Sequence, residues 1–407
     1  ADYLFYLNYS ENENKCRNCF QKPICKNIFS LELEHDESNS PLYSITNDDT
    51  KFSDQEKSFF YRYNKLLTAE YRVLKESQGE YLMKAHAERE ESKKCVKIKN
   101  ILSLDNNDII LYCQNKSELR ESDRCLLSDE KGPIYGECLE VFIKDVSSQN
   151  ITVRPRAKIG FTPQYLDIHE VETLFERNYS AIYELLNNPN LSKLKSVLFF
   201  DYEPNENAPS ENKLLSNGFK LKGNQKKAVE LSNGISDFLL LQGPPGTGKT
   251  STIAKIVENL YQDNKSIIIG CYTHRAIDEV IRKMGEICPD VNIIKIGPIN
   301  ETDPNKTLSG LIEKETNLKE KIKKAQKIIA SKPLFIGTTH SWLSGNFGSL
   351  IIDGRCDVGI IDEASQVLLP NLIGVLRLVK KFILVGDHKQ LPPVVQSKDA
   401  EDLKRTL

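Results

Sequence analysis

The spacing of hydrophobic and polar positions changes several times along the chain, and each pattern predicts a different kind of element. Between residues 54 and 94 apolar side chains recur at three- and four-residue steps, which predicts a helix with one buried stripe. Gly79 is a candidate break in this helix, and the part that follows it is mostly charged. The stripe consists of Phe59, Tyr63, Leu66, Leu67, Tyr71 and Leu74.

Residues 95–160 carry short apolar runs separated by polar turn clusters. The runs are 96–98, 109–112, 139–143 and 151–153. Short strands at this spacing predict a small β-barrel. Residues 161–222 are predicted to form a helical connector, whereas the first 50 residues hold three close cysteines and then an acidic, polar passage typical of a loop.

From about residue 223 to the end the chain repeats a pattern of strand, loop and helix. Several of the candidate strands are almost wholly apolar, as expected for strands that are covered on both faces. A charged helix is predicted around residues 311–330. The pattern predicts an α/β domain with a parallel sheet. The candidate strands are 238–241, 267–270, 293–296, 334–336, 358–361 and 382–385.

Composition sets limits on the class of protein. The 407 residues are enough for about two to four domains, and 39% hydrophobic with 28% charged residues is typical of a globular protein. The formal net charge of -2 predicts that any binding to nucleic acid uses local patches. No signal peptide or membrane-length apolar run is visible, so we expect a reducing, intracellular setting. The start at Ala1 suggests a fragment of a longer chain.

The strongest candidate chemistry is a glycine-rich loop between a predicted strand and a predicted helix. Its glycines let the backbone wrap around a phosphate, and the helix N-terminus adds a partial positive charge. Lys249 would face the β- and γ-phosphates, Thr250 would offer its hydroxyl to magnesium, and Thr252 is a further candidate for nucleotide binding. A turn that binds nothing is the disfavoured alternative. The loop reads Gly243, Pro244, Pro245, Gly246, Thr247, Gly248, Lys249, Thr250 and fits G-x-x-x-x-G-K-[ST].

Two adjacent carboxylates follow a later apolar strand. Asp362 and Glu363 come directly after residues 358–361, at the strand end where ligands of open α/β sheets bind. Asp362 is predicted to hold magnesium and Glu363 to orient and deprotonate the attacking water. A solvated strand end is the alternative, and the loop at 243–250 favours the catalytic interpretation.

A third candidate follows the strand predicted at 382–385. The sequence Gly-Asp-His-Lys-Gln-Leu-Pro-Pro contains Gln390, whose amide could hydrogen-bond the γ-phosphate or the attacking water. The turn that carries Gln390 could therefore differ between the ATP and ADP states. The alternative is an ordinary turn ended by two prolines.

The three sequences in this order resemble motifs I, II and III of the Upf-like branch of superfamily 1 helicases, and this implies a RecA-like motor domain. By the same resemblance Gln225 matches the glutamine that reads adenine, although its residue type alone shows only a polar side chain opening a helix. Thr273 and His274 match the loop that contacts a single strand, and Thr338 and Thr339 are similar candidates. For these four, caps at strand ends are the alternative.

Two features favour one part of that branch. The sequence Tyr272-Thr273-His274 resembles the eukaryotic nuclease–helicases that trim Okazaki-fragment flaps, rather than the Upf-type RNA helicases. The cysteines Cys16, Cys19 and Cys25 have the spacing C-x2-C-x5-C, which resembles three ligands of the [4Fe–4S] cluster in those enzymes. The alternatives are a zinc site completed by His35 or by an upstream residue, and plain reduced cysteines.

The resemblance implies a domain order: the end of an iron–sulfur nuclease domain (1–50), a helical stalk (51–94), the barrel (95–160), the connector (161–222) and the first motor domain (223–407). The nuclease carboxylates and the second motor domain would lie outside these residues, so this stretch alone should hydrolyse ATP weakly.

The resemblance also implies an activity and its partners. The intact enzyme would use ATP, Mg²⁺ and the cluster to move along single-stranded DNA in replication and repair. Its implied partners are 5′ flaps and a single-strand-binding protein, and no membrane. We expect a monomer in the nucleus, with the mitochondrion as a second location. A Upf-type RNA helicase, or a nucleotide-binding scaffold without catalysis, are the alternatives.

Overall fold

The structure is a computed structural model, and it describes residues 52–104, 108–119, 123–169, 171–199, 221–296, 311, 318–339, 342 and 356–404. The predicted cluster ligands Cys16, Cys19 and Cys25, and the nuclease assignment of residues 1–50, lie outside these ranges. Within them, no helix is long and apolar enough to cross a membrane.

Helix α1 (Asp54–Met83) begins at a capping box. The Ser53 hydroxyl accepts a hydrogen bond from the Glu56 N–H (3.2 Å), and the Glu56 carboxylate accepts one from the Ser53 N–H (2.7 Å). The helix continues through Gly79 and ends at Lys84, so the break lies later than the sequence suggests. A glycine costs a helix about 1 kcal/mol, and packing of α1 against neighbouring helices offsets that cost. Helix α2 (His86–Glu91) follows.

Six antiparallel strands close a barrel in the order β1-β2-β5-β4-β3-β6. Its interior is apolar, and Leu127, Val141 and Ile151 are completely buried. A short helix, α3 (Gly132–Tyr135), connects β3 to β4. The strands are β1 (Cys95–Ser103), β2 (Ile109–Cys113), β3 (Arg124–Ser128), β4 (Cys138–Val146), β5 (Asn150–Pro155) and β6 (Tyr165–Ile168).

Strand β6 closes the barrel because it pairs with both β1 and β3. The barrel therefore extends to Ile168 rather than to residue 160, and β3 and β6 are strands that the apolar pattern does not predict. The reason lies in polar residues that the fold buries. Asp167 in β6 is completely buried, where it pairs with the buried Arg89 of α2 and accepts a hydrogen bond from the Tyr81 hydroxyl (3.1 Å).

Two further helices, α4 (Val171–Asn187) and α5 (Ser192–Leu198), follow the barrel, with a 3-10 turn between them. They connect it to a second unit, which is built around a parallel sheet. Helix α4 contacts α1, and its residues Tyr179, Ile182 and Leu185 belong to the same apolar core as the α1 stripe. Helices α1 and α4 thus share one apolar core with the parallel-sheet unit, whereas the barrel has an apolar core of its own.

The second unit is a six-stranded parallel sheet with the order β7-β12-β11-β8-β10-β9. Apolar clusters cover both faces, and every residue of β8 and β10 is buried. Each of the six predicted strands lies inside an observed one. The elements are α6 (Gly223–Asn233), β7 (Phe238–Gln242), α7 (Lys249–Gln262), β8 (Ile267–Cys271), α8 (His274–Ile287), β9 (Ile293–Ile296), α9 (Leu318–Ala330), β10 (Leu334–Thr338), β11 (Cys356–Ile361), α10 (Leu369–Leu376), β12 (Val379–Gly386) and a 3-10 helix (Lys398–Lys404).

Asp357 fastens the start of β11 to the residue that precedes β8. Its carboxylate accepts hydrogen bonds from the Ser266 N–H (3.0 Å) and hydroxyl (2.9 Å) and from Lys380 Nζ (2.9 Å). Partial burial acts to raise the pKa of Asp357, but these hydrogen bonds outweigh it and lower the pKa to about 2. The ionised carboxylate is therefore the form that stabilises the fold.

We expect Asp357→Asn to lower the free energy of unfolding by about 1–2 kcal/mol at pH 7, after allowance for the partial exposure of the pair. A depressed pKa in the folded state gives stability that is present above the unfolded pKa, near 4, and is lost as pH falls towards about 2. Urea unfolding should show the difference from wild type at pH 7 and a smaller difference below pH 4. An equal loss in the exposed control Asp290→Asn would contradict the assignment.

Candidate active site

The topology of the sheet brings three loops to one edge. Because β7, β11 and β12 are parallel, their carboxyl ends meet at the same side, and β12 lies between the other two. The loop at 243–250 follows β7, the acidic pair follows β11, and the turn carrying Gln390 follows β12. The Gly243 N–H donates to the Gly386 carbonyl (3.0 Å), which joins the first loop to the third.

The backbone of the loop at 243–250 requires glycine. Gly246 and Gly248 have φ of 76° and 83°, a region in which side chains other than glycine are strained. A Cβ on Gly248 would also overlap Gln225 Nε2. Inside the loop the Thr247 hydroxyl donates to the Pro244 carbonyl (2.7 Å). The loop thus has a defined shape at the start of α7, where backbone N–H groups are free to bind an anion.

Lys249 connects the loop to the acidic pair. Its Nζ donates to the Gly243 carbonyl (3.0 Å) and lies 3.4 Å from Glu363 Oε1. The side chain of Lys249 is 13% exposed and that of Glu363 27%, so the ion pair is partly shielded from water. The structure therefore places the two sequence-predicted segments opposite each other on the same side of the sheet.

Asp362 is nearly buried at the end of β11. Burial and the neighbouring charge of Glu363 raise its pKa to about 6, although the Glu363 N–H donates to Asp362 Oδ1 (3.0 Å) and acts in the opposite direction. Glu363 has φ of 51°, a left-handed conformation that is costly for this residue type and is typical of functional positions. Two carboxylates crowded in this way are electrostatically unfavourable without a cation.

The side chains at this edge fit a magnesium–nucleotide group. Glu363 Oε2 is buried and has no hydrogen-bond partner among the residues that the structure describes. Carboxylate and hydroxyl oxygens are the ligands that Mg²⁺ prefers. Thr250 and Asp362 are the residues that would hold the metal, whose positive charge would counter the burial and the repulsion from Glu363 that raise the pKa of Asp362. The described ranges contain no cluster of three or more His, Cys, Asp or Glu side chains suited to a metal, at this edge or elsewhere.

Asp387 fixes the turn that carries Gln390. It is not among the site residues predicted from the sequence. Its carboxylate accepts hydrogen bonds from the Lys389 N–H (3.1 Å) and from Gln390 Nε2 (3.4 Å). Hydrogen bonds from Lys389, and then from Gln390 and Gln242, lower the pKa of Asp387. Its position directly after the strand was the available signal.

Gln225 lies against the phosphate-binding loop. Its Oε1 accepts a hydrogen bond from the Lys222 N–H (2.9 Å), and its Nε2 donates to the Thr247 carbonyl (3.1 Å). The Gln225 amide thus caps the start of α6 and also contacts the phosphate-binding loop. Thr252 is different, because its buried hydroxyl donates to the Gly248 carbonyl (3.0 Å) within its own helix. Thr252 therefore supports the first turn of α7.

The candidates for contact with a nucleic acid differ in how far the structure exposes them to solvent. Thr273 is exposed at the end of β8, and its hydroxyl accepts a hydrogen bond from the Ala276 N–H (3.2 Å) as the cap of α8. Thr338 and Thr339, at the end of β10, are 5% and 0% exposed in a sheet that apolar clusters cover on both faces. Their contact with a nucleic acid stays a prediction. The side chain of His274 lies outside the described residues.

This combination of a glycine-rich loop at a helix N-terminus, a lysine and a facing acidic pair defines a P-loop nucleotide-binding domain. The family model of an AAA domain matches residues 220–333 and 300–398, which include all three loops. The chain is similar in sequence to proteins named DNA replication ATP-dependent helicase/nuclease.

The similarity extends along nearly the whole chain. DNA replication ATP-dependent helicase/nuclease DNA2 of Homo sapiens is 26% identical over 97% of this chain, which spans 39% of that protein. JHS1 of Arabidopsis thaliana is 34% identical over 45% of this chain and 13% of its own length. DNA2 of Saccharomyces cerevisiae is 32% identical over 46% of the chain and 12% of its own length.

Proposed function

We propose that the protein is an ATP-dependent motor that moves along single-stranded DNA, as part of a helicase coupled to a nuclease. The observation that carries the proposal is the contact between Lys249 and Glu363 across the phosphate-binding loop. It puts a cation for phosphate and a base for water within one small site. The names of the relatives favour DNA over the RNA of the Upf-type alternative.

The residues of the site suggest how hydrolysis proceeds. Lys249 and the backbone N–H groups of 243–250 would bind the β- and γ-phosphates, and Gln225 would contact the base. Magnesium, held by Thr250 and Asp362, would supply positive charge to the phosphate oxygens. Lys249 would exchange its contact with Glu363 for the phosphate, and Glu363 would then accept the proton of the attacking water.

Gln390 is the proposed sensor of the nucleotide state. It lies on the turn after β12, which pairs with both β7 and β11. Strand β11 in turn pairs with β8, whose end carries Thr273. A change at the γ-phosphate would thus reach Thr273 through adjacent strands. Thr273 would contact the strand backbone, and His274 is the second candidate in the same loop.

Finer features of the proposal rest on the relatives and on the sequence. We propose a RecA-like motor domain with α1 as its stalk, and a [4Fe–4S] cluster that uses Cys16, Cys19 and Cys25. The intact protein would act on 5′ flaps in replication and repair, together with a single-strand-binding protein. It would function as a monomer in the nucleus, with the mitochondrion as a second location.

The test is the ATPase rate of the intact protein with and without nucleic acid. We expect oligothymidylate to stimulate hydrolysis more strongly than an RNA of equal length, and the stimulation to fall with added salt, because phosphate contacts dominate such binding. Stronger stimulation by RNA would support the Upf-type alternative. Visible absorbance that disappears on iron chelation would support the cluster, and its absence would count against it.

A further inference from the structure

Glu70 joins α1 to the segment that follows the Gln390 turn. Its carboxylate, on a side chain that is 9% exposed, accepts hydrogen bonds from two consecutive backbone N–H groups. The Gln396 N–H lies 2.9 and 3.0 Å from the two oxygens, and the Ser397 N–H lies 2.7 Å from Oε2. Both oxygens of this nearly buried carboxylate therefore accept hydrogen bonds from a segment that lies 326 residues later in the sequence.

The segment between Gln390 and Ser397 is partly exposed, although Pro393 is buried and Val395 packs against the apolar core. Leu391 is 81% exposed and Val394 is 73% exposed. Below it lies a pocket whose walls include Tyr71 of α1, Phe175 of α4 and Tyr272, which precedes the candidate strand contact Thr273. Because hydrogen bonds to a charged acceptor are about twice as strong as neutral ones, the contact with Glu70 fixes the far end of a segment whose near end is the proposed sensor.

The other end of α1 is attached to the barrel. Gln78 Nε2 donates to the Ile168 carbonyl (3.0 Å), and the Tyr81 hydroxyl donates to the buried Asp167. Gln78 and Glu70 are separated by roughly 12 Å along one continuous helix, at 1.5 Å per residue. A shift imposed at Glu70 would therefore reach the barrel without an intervening loop.

We propose that Glu70 is a positioning residue that transmits the nucleotide state from the Gln390 turn through α1 to the barrel. This inference rests on the proposed function, because it needs a nucleotide at the site described above. Glu70 touches no part of that site itself. Its role is to keep the segment after the turn and α1 moving together, so that barrel and motor domain change their relative position when nucleotide binds.

The test uses the intact protein with one fluorophore on the barrel and one on the motor domain. Unnatural amino acids at Lys144 and Asp290, both exposed, supply the attachment sites. In the wild type, the non-hydrolysable analogue AMP-PNP with magnesium should change the energy transfer between the labels. In Glu70→Gln the change should shrink by about threefold or more, since the amide carries no charge and its NH2 group replaces one of the two oxygens that accept from the Gln396 N–H. Affinity for AMP-PNP should stay within about threefold.

The matched control is Glu76→Gln, an exposed carboxylate six positions later on the same helix. It should leave the energy-transfer change as in the wild type. An unaltered change in Glu70→Gln, with AMP-PNP bound, would overturn the inference and leave the proposed function intact. Failure of the wild type to bind AMP-PNP would instead overturn the proposed function.

A second measurement does not depend on how the variant folds. In the wild type, hydrogen exchange should show the Gln396 and Ser397 amides protected both with and without AMP-PNP, because the contact with Glu70 persists. Exchange of these amides at the rate of a solvated loop in either state would overturn the inference. The apolar core that α1 shares with Ala400 and Leu403 of the 3-10 helix also joins α1 to this region, so Glu70→Gln should remain folded.

Discussion

Replacing Lys249 with alanine should weaken ATP binding by about 10- to 100-fold, the free energy expected from the loss of a hydrogen bond to a charged group. Hydrolysis at saturating ATP should fall further, by about 10²–10³-fold, because the developing charge on the phosphate loses its nearest cation. Lys249 is held at the site by the Gly243 carbonyl and Glu363, so alanine removes the cation that faces the acidic pair. Titration with a fluorescent ATP analogue and a phosphate-release assay would measure both effects.

The control for this variant is Lys265→Ala, which removes an exposed lysine after α7. It should bind and hydrolyse ATP as the wild type does. If Lys249→Ala retained most of the wild-type rate, the loop at 243–250 would not be the phosphate-binding site.

Replacing Glu363 with glutamine should separate binding from hydrolysis. Hydrolysis should fall by about 10²–10⁴-fold, because the amide cannot take a proton from water. Binding of ATP should be as tight as in the wild type or tighter, since Lys249 no longer pairs with a carboxylate 3.4 Å away. Single-turnover hydrolysis and equilibrium binding, measured on the same preparation, would show the two effects.

The matched control is Glu279→Gln, an exposed carboxylate on α8 whose charge also acts on Asp362. It should hydrolyse ATP nearly as fast as the wild type. Weaker ATP binding in Glu363→Gln than in the wild type would contradict the idea that Lys249 must leave Glu363 before it meets phosphate. A rate close to wild type would also support the scaffold alternative, in which catalysis has been lost.

The parallel sheet could be predicted from the sequence because its strands are apolar on both faces. Runs such as 267–270 and 358–361 have no polar interruption, and the structure buries them in the middle of the sheet. The barrel is harder to predict, because β3 and β6 are only five and four residues long and β6 contains a polar residue whose burial depends on distant partners. Asp167 is the example, since its burial depends on Arg89 and Tyr81.

The site likewise contains residues that the sequence predicts and residues that it does not. Lys249, Asp362 and Glu363 stand out from the sequence because a short motif fixes their local geometry. Glu70 and Asp387 do not, since their roles follow from contacts with backbone groups that no spacing rule encodes. The sequence also does not give the burial of Thr338 and Thr339, which are 5% and 0% exposed at the end of β10. Their contact with a nucleic acid stays a prediction.

The most direct test of the account is an experimental structure of the intact protein with AMP-PNP and magnesium. We predict that the triphosphate lies between the loop at 243–250 and the acidic pair, with Lys249 moved from Glu363 to the phosphates. The metal should contact the Thr250 hydroxyl and lie next to Asp362, directly or through water. A nucleotide bound at another place, or a triphosphate whose metal is remote from Asp362, would contradict the assignment of this site as the motor's catalytic centre.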